Sequence, residues 1–185
     1  VTQPISKWNY QIRRAEDIPW AVARAFYIAR SGRPGPVVLD FAKNAQTAMI
    51  EYAPQTVDFI RSYNPVPETQ PGSIEMAAEL INQSVKPLML VGQGVELAGA
   101  RQELLALCEK AQIPFGQTML GLSAAPTGHP LNMGMLGMHG NLAPNVMTNQ
   151  CDLLIAVGMR FDDRVTGDLH TYAKQAKVIH FEIDP

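Results

Sequence analysis

A chain of 185 residues, 46% hydrophobic and 17% charged, has material for one ordinary globular domain and part of a second. Its 15 basic and 17 acidic residues leave a net charge of -2 with no basic block, so the electrostatic footprint of a nucleic-acid binder is missing. No apolar run reaches the ~18 residues that a membrane span needs, and no signal-peptide pattern opens the chain.

The two cysteines, Cys108 and Cys151, fall on a helical stretch and at a strand entrance. They read as buried small hydrophobes rather than a disulfide or a metal pair. A reduced, cytoplasmic setting is the default expectation. The chain opens on Val1-Thr2-Gln3-Pro4 without a methionine and stops at Ile183-Asp184-Pro185, where a strand meets its loop. It reads as an excised piece of a longer protein.

Residues 16–30 carry apolar side chains at Ile18, Val22, Ala25, Phe26 and Ala29, which is helical spacing. Asp17 is the expected cap, Pro19 falls in the first turn and Gly32 follows the end. Residues 36–41 predict a short buried strand. Residues 44–72 hold Pro54, Pro65, Pro67 and Pro71 with little periodicity and predict a linker.

A second unit starts at Ser73, the expected cap of a helix marked by Ile74, Ala77, Ala78 and Ile81. Strands are expected at 87–91, 113–117, 153–157 and 178–183. Helices are expected at 98–111 and 141–150, with a short one at 169–175. Strand alternating with helix implies a parallel α/β sheet. In such a sheet, ligands bind beyond the carboxyl ends of the strands. The loops Gly92–Gly94, Thr118–Leu120, Gly158–Arg164 and Glu182–Asp184 therefore share one edge.

The last of the apolar runs before the charged loop, Leu153 to Val157, ends at Gly158, and four charged side chains follow within five positions: Arg160, Asp162, Asp163 and Arg164. Unpaired charge is costly core material, so this segment reads either as a binding loop or as a solvated loop with local ion pairs. Guanidinium forks can clamp a phosphate or a carboxylate, or simply pair with Asp162 and Asp163. Gly92-Gln93-Gly94 lacks the third glycine of a dinucleotide fingerprint and is equally a bare turn. Glu182 suits a ribose hydroxyl or a solvated position. His139 can meet a ligand or sit in a satisfied loop. Met119, Met133, Met135 and Met138 suit an aromatic ligand or a core.

The words at 158–167, 136–140 (Leu136-Gly137-Met138-His139-Gly140) and 31–36 (Ser31-Gly32-Arg33-Pro34-Gly35-Pro36) resemble the catalytic large subunit of the acetolactate synthase (acetohydroxyacid synthase) family. These are thiamine-diphosphate enzymes of branched-chain amino-acid synthesis, and the resemblance runs from Val1 to Pro185. It implies a Rossmann-like parallel central domain over 73–185 that binds FAD, preceded by the end of a pyrimidine-binding domain over 1–43 and the linker 44–72. By this resemblance FAD contacts fall on Arg33, Gly92, Gln93, Thr118, Met119, Leu136, Gly137, Met138 and His139. They continue on Gly158, Met159, Arg160, Phe161, Asp162, Glu182 and Ile183.

Gln93 stands where many members have glycine, and Glu182 where many have aspartate. Arg164 matches the arginine that holds the carboxylate of the second 2-ketoacid, and Lys43 and Asp163 match residues of the entrance channel. The family's activating glutamate falls before Val1, and its diphosphate and magnesium motif after Pro185. No catalytic residue, no metal site and no thiamine-diphosphate site is therefore expected within these residues, and the piece alone is expected to be inert with weak FAD affinity. The resemblance also implies a homo-oligomer, dimer or tetramer, a regulatory small subunit, and no nucleic-acid or membrane partner. The alternatives are another thiamine-diphosphate enzyme, such as pyruvate oxidase or glyoxylate carboligase, or a flavin- or nucleotide-binding module without catalysis.

Overall fold

The computed structural model describes residues 1–184, which form two compact units, Val1–Glu68 and Thr69–Ile183. In the first unit, β1 (Trp8–Ile12) and β2 (Val37–Phe41) pair in parallel, with Trp8 opposite Val37 and Ile12 opposite Phe41. Helix α1 (Ile18–Arg30) connects them. Pro19 in its first turn is tolerated because that amide needs no helical acceptor. Asp17 precedes the helix, but its side chain makes no capping bond. Ile12, Ala21 and Ala45 are buried together, with Tyr10, Ile18, Leu39 and Phe41 packed against them.

β1 and the short helix α2 (Lys43–Thr47) add to the expected elements. Trp-Asn-Tyr-Gln-Ile alternates large and polar residues, and its burial alternates too, which is the period of a strand with one face covered. Beyond α2, residues 48–68 form no helix or strand, and only Ile60 among them is buried.

The second unit is a five-stranded sheet in the order β5-β4-β3-β6-β7, and every adjacent pair is parallel. Its strands are β3 (Pro87–Val91), β4 (Phe115–Gln117), β5 (Asn132–Met135), β6 (Leu153–Val157) and β7 (Lys177–Phe181). The helices are α3 (Ser73–Gln83), α4 (Gln93–Leu97), α5 (Arg101–Ala111), α6 (Leu142–Thr148) and α7 (Asp163–Thr166).

Gly72, at φ 79°, takes the cap position of α3, so Ser73 is its first helical residue and not its cap. The expected helix over 169–175 is instead a run of turns. Its sequence offers Leu169, Tyr172 and Ala173 but no second apolar turn, and Ala173 adopts φ 45°.

Period-two burial on the central strands explains the layers. Met89 and Val91 of β3, with Leu153 and Ile155 of β6, face one core that also holds Leu104 and Cys108 of α5. Leu88 and Leu90, with Leu154 and Ala156, face a second core with Leu136, Met159 and Ala173. Strands covered on both faces read as continuous apolar runs, which is why Leu-Met-Leu-Val and Leu-Leu-Ile-Ala carry no polar residue.

Asp152 ties the starts of the two central strands together. Its carboxylate accepts from the Ser84 hydroxyl, from the Val85 amide at 2.7 Å and from the Lys86 amide at 3.0 Å. The Ser84 bond, against a smaller opposing effect of burial and with help from the two amides, holds its carboxyl below the usual aspartate range. A lowered folded value gives stability that is present above the unfolded value of ~3.9 and lost as pH falls through the folded one. Asp152→Ala should therefore cost about 1 kcal/mol at neutral pH, from the lost hydrogen bonds, because water can reach the exposed Val85 and Lys86 amides. Urea denaturation at pH 7 and at pH 3 checks this: the gap between wild type and variant should shrink at the lower pH.

Candidate functional site

The chain runs outward from β3 through β4 to β5, then returns to β6 on the other side of β3 and continues to β7. The switch point of the sheet lies between β3 and β6, and in open parallel sheets ligands enter there, at the carboxyl ends. Five segments emerge on that edge: Gly92 after β3, Thr118 after β4, Leu136 after β5, Gly158 after β6 and Glu182 after β7. The structure thus brings the expected residues of the second unit to one edge. Arg33, exposed beyond α1, and Lys43, the exposed first residue of α2, belong to the first unit.

At the switch point, glycines let two backbones cross. The Gly94 amide donates to the Gly158 carbonyl at 2.9 Å, and the Gly92 amide donates to Val157 at 2.9 Å. A Cβ on Gly94 would lie 2.5 Å from the Gly158 Cα, and one on Gly158 would lie 2.6 Å from the Gly94 Cα. Gly158 also adopts φ +59°, a left-handed conformation that favours glycine. Because the Gly94 amide is held by Gly158 and the Gly158 amide by Phe181 at 2.8 Å, an anion here meets other groups, the exposed Arg160 among them.

The charged loop is ordered by its own aspartates. Asp162 caps α7 by accepting from the Arg164 amide at 3.0 Å, and its carbonyl accepts from Val165 and Thr166. Asp163 lies 3.9 Å from the Arg164 Nε, with both side chains mostly exposed. Such a pair is worth little, which leaves the Arg164 guanidinium available for a ligand. Arg164 Nη1 also sits 3.9 Å from the Met138 sulfur.

Phe161 packs edge-on against His180, with ring centres 5.2 Å apart, and against Tyr172 at 6.3 Å. His180 Nε2 lies 2.8 Å from the Met159 carbonyl, close enough to donate to it, which fixes the strand exit before Arg160. Glu182 accepts from the Ile183 amide at 2.8 Å, and its carboxylate lies 3.9 Å from His180.

Met119 and Met138 are 75% and 62% exposed, so they are loop-tip residues and not core. His139 is exposed on the same turn. Met133 and Met135 are half-buried in β5. Burial pushes the Cys108 thiol up to about 12 and the Cys151 thiol up to about 11, so neither is a nucleophile at neutral pH. No group of His, Cys, Asp and Glu among the described residues could hold a metal ion.

The supporting polar residues escape sequence reasoning. Gln117 is buried at the end of β4, where its amide nitrogen donates to the Gly121 carbonyl at 3.0 Å and its oxygen accepts from Asn132 at 2.9 Å. It holds the Thr118–Leu122 segment, whose first turn Thr118 also caps. Asn145 bonds Gly137 twice, at 2.9 Å each way. The only signal for either was a polar residue inside a largely apolar element.

The donor set suits a nucleotide that carries an aromatic ring. A strand-end carboxylate, Glu182, can accept from a ribose hydroxyl, Arg160 can meet a diphosphate, and the exposed thioethers of Met119 and Met138 can cover an aromatic ring.

Fold and edge together define a doubly wound parallel α/β domain whose loops gather at the carboxyl ends of its strands. The chain belongs to the thiamine pyrophosphate enzymes, whose central-domain family matches residues 74–185. It is 44% identical to the acetolactate synthase large subunit of Corynebacterium glutamicum over all of this chain and 30% of that protein. It is 42% identical to acetolactate synthase isozyme 1 large subunit of Escherichia coli K12, over all of this chain and 32% of the relative. An X-ray structure of a candidate thiamin diphosphate-dependent enzyme from Mycobacterium smegmatis matches with a TM-score of 0.70 and 26% identity, over 95% of this chain and 33% of that one. The chain thus spans about a third of the length of the proteins it matches.

Proposed function

We propose that this chain is the FAD-binding central region of an acetolactate synthase large subunit, with residues 1–43 closing a pyrimidine-binding domain and 44–72 linking the two. The observation that carries this reading is the identity to acetolactate synthase large subunits along the entire chain, and it is supported by a carboxyl edge whose loops carry Met119, Met138, Arg160 and Glu182. The whole enzyme joins a two-carbon unit from pyruvate to pyruvate or 2-ketobutyrate, as a step of valine, leucine and isoleucine synthesis. Thiamine diphosphate with Mg2+, held outside these residues, supplies the carbanion chemistry of decarboxylation and transfer, and FAD does no net redox work.

Within this chain the work is binding and orientation. Glu182 receives the ribose hydroxyls, and Arg160 neutralises diphosphate charge. The Thr118–Met119 and Leu136–His139 turns and Phe161 line the flavin side. Arg164 grips the carboxylate of the second 2-ketoacid through its planar fork, beside Asp163, while Lys43 belongs to the approach path. The full protein is a cytoplasmic homo-oligomer, a dimer or tetramer, with a regulatory small subunit.

Purifying the full-length protein that contains this chain tests the proposal. Flavin released by heat should be FAD at about one per chain, and pyruvate with thiamine diphosphate and Mg2+ should yield acetolactate. A preparation that retains no flavin, or that consumes pyruvate without making acetolactate, overturns the reading.

A further inference from the structure

Beyond β5 the chain leaves the sheet, and the buried Gly137 has no strand beside it: its carbonyl accepts from the Gly140 amide at 2.9 Å within the turn, and its amide has no backbone acceptor there. Asn145, half-buried on α6, takes that place. Its Oδ1 accepts from the Gly137 amide at 2.9 Å, and its Nδ2 donates to the Gly137 carbonyl at 2.9 Å and to the Asn141 carbonyl at 3.1 Å. A carboxamide is the side chain that both donates and accepts in this spacing, so it imitates a neighbouring peptide. One turn earlier, Asn141 does similar work for Met135, whose amide donates to the Asn141 Oδ1 at 2.8 Å.

The residue after the pinned glycine reaches the charged loop. The Met138 amide donates to the Arg164 carbonyl at 2.8 Å. A Cβ on Gly137, which adopts φ +98°, would lie 2.9 Å from that same carbonyl oxygen. The turn bearing Met138 and His139 and the backbone of Arg164 are therefore one junction, and its fixed point is the Gly137 peptide. Moving that peptide displaces Met138 and releases the Arg164 carbonyl together.

We propose that Asn145 is a positioning residue: by clamping both sides of Gly137 it sets the Leu136–His139 turn for the flavin and, through the Met138–Arg164 bond, the reach of Arg164 toward the second 2-ketoacid. This rests on the flavin reading above. It concerns the geometry of the ligand edge and not the folding of the sheet, because Asn145 bonds only the turn and its own helix.

The test uses the full-length protein and three variants. Asn145→Ala removes all three side-chain bonds, while Asn145→Asp keeps the acceptor for the Gly137 amide and loses the donor. Asn149→Asp is the control: Asn149 caps the end of the same helix and only accepts, from the Ala173 amide at 2.9 Å, which a carboxylate can still do.

The expected result is faster amide hydrogen exchange at Gly137 and Met138 in both Asn145 variants, with a similar unfolding midpoint. FAD affinity should fall about tenfold, the size expected for the loss of a partly buried hydrogen bond. The KM for the second 2-ketoacid should rise with a smaller change in kcat. Asn149→Asp should match wild type in each measurement. A wild type without flavin overturns the flavin reading and this proposal with it. A flavin-loaded wild type whose Asn145 variants keep its affinity and KM, or lose them only in step with global unfolding, overturns the positioning role alone.

Discussion

Gly158→Ala is expected to destabilise the second unit by at least about 3 kcal/mol, whereas Gly99→Ala should cost only about 1 kcal/mol. Both glycines have positive φ, +59° and +68°, so both substitutions carry the backbone strain of a left-handed alanine. They differ in what surrounds them. A Cβ on Gly99 meets nothing within 4 Å, while one on Gly158 falls 2.6 Å from the Gly94 Cα and 2.8 Å from the Gly94 carbonyl carbon and the Val95 nitrogen.

Those neighbours are backbone and cannot turn aside as a side chain would. They belong to α4, whose Val95 is packed in the core. Relief would require β3 and β6 to part at the switch point, breaking the Gly94–Gly158 and Gly92–Val157 bonds. Urea denaturation followed by circular dichroism separates the two costs. Equal losses at Gly158 and Gly99 would mean that the crossing is loose and that glycine serves there for its φ alone.

The central sheet was legible because β3 and β6 are apolar throughout, a pattern that burial on both faces demands. β5 was not. Asn132-Met133-Gly134-Met135 has no β-branched residue, carries a glycine at φ +95° and shifts register against β4, so it fits no strand template even though it forms the edge of the sheet.

β1 is a different case. Its alternation was on the page, but five residues are a short signal beside the long helix that follows. α4 and α7, five and four residues long, lie below the length at which apolar periodicity can be read. Yet α7 carries its own marks, an aspartate cap at Asp162 and Gly167 after its end.

That the charged loop lies at the carboxyl end of a buried strand was readable from the four charges that follow Leu153–Val157, because unpaired charge is poor core material. The supports of the edge were not. Asn145, Gln117 and His180 act through contacts 8, 4–15 and 21 residues away in sequence, which no local pattern reveals.

On the acetolactate synthase reading proposed above, Arg164→Lys in the full-length protein is expected to lower kcat/KM for the second 2-ketoacid by about one to two decades and to shift the ratio of products, with little loss of FAD. The structure leaves this side chain on a short helical turn in loose surroundings: Asp163 at 3.9 Å, mostly exposed, and the Met138 sulfur at 3.9 Å. Neither engages the guanidinium strongly, so its hydrogen-bonding capacity remains for a ligand. Arginine presents two parallel donors to a carboxylate, and lysine presents a point charge on a flexible stem. Losing one charge-assisted bond of the pair costs roughly 1.5–3 kcal/mol, which is the stated loss in rate.

The main chain at this position should survive the change. The Arg164 amide still donates to Asp162, and the carbonyl still accepts from Met138, because neither bond involves the side chain. That separates a ligand contact from a structural one. Arg160→Lys, four residues earlier at the exit of β6, should loosen FAD first and leave the product ratio closer to wild type. Steady-state kinetics with pyruvate and 2-ketobutyrate in competition, together with flavin retention on gel filtration, distinguish the two arginines. If Arg164→Lys loses flavin at normal product ratios while Arg160→Lys alters the ratios, the two roles belong the other way round.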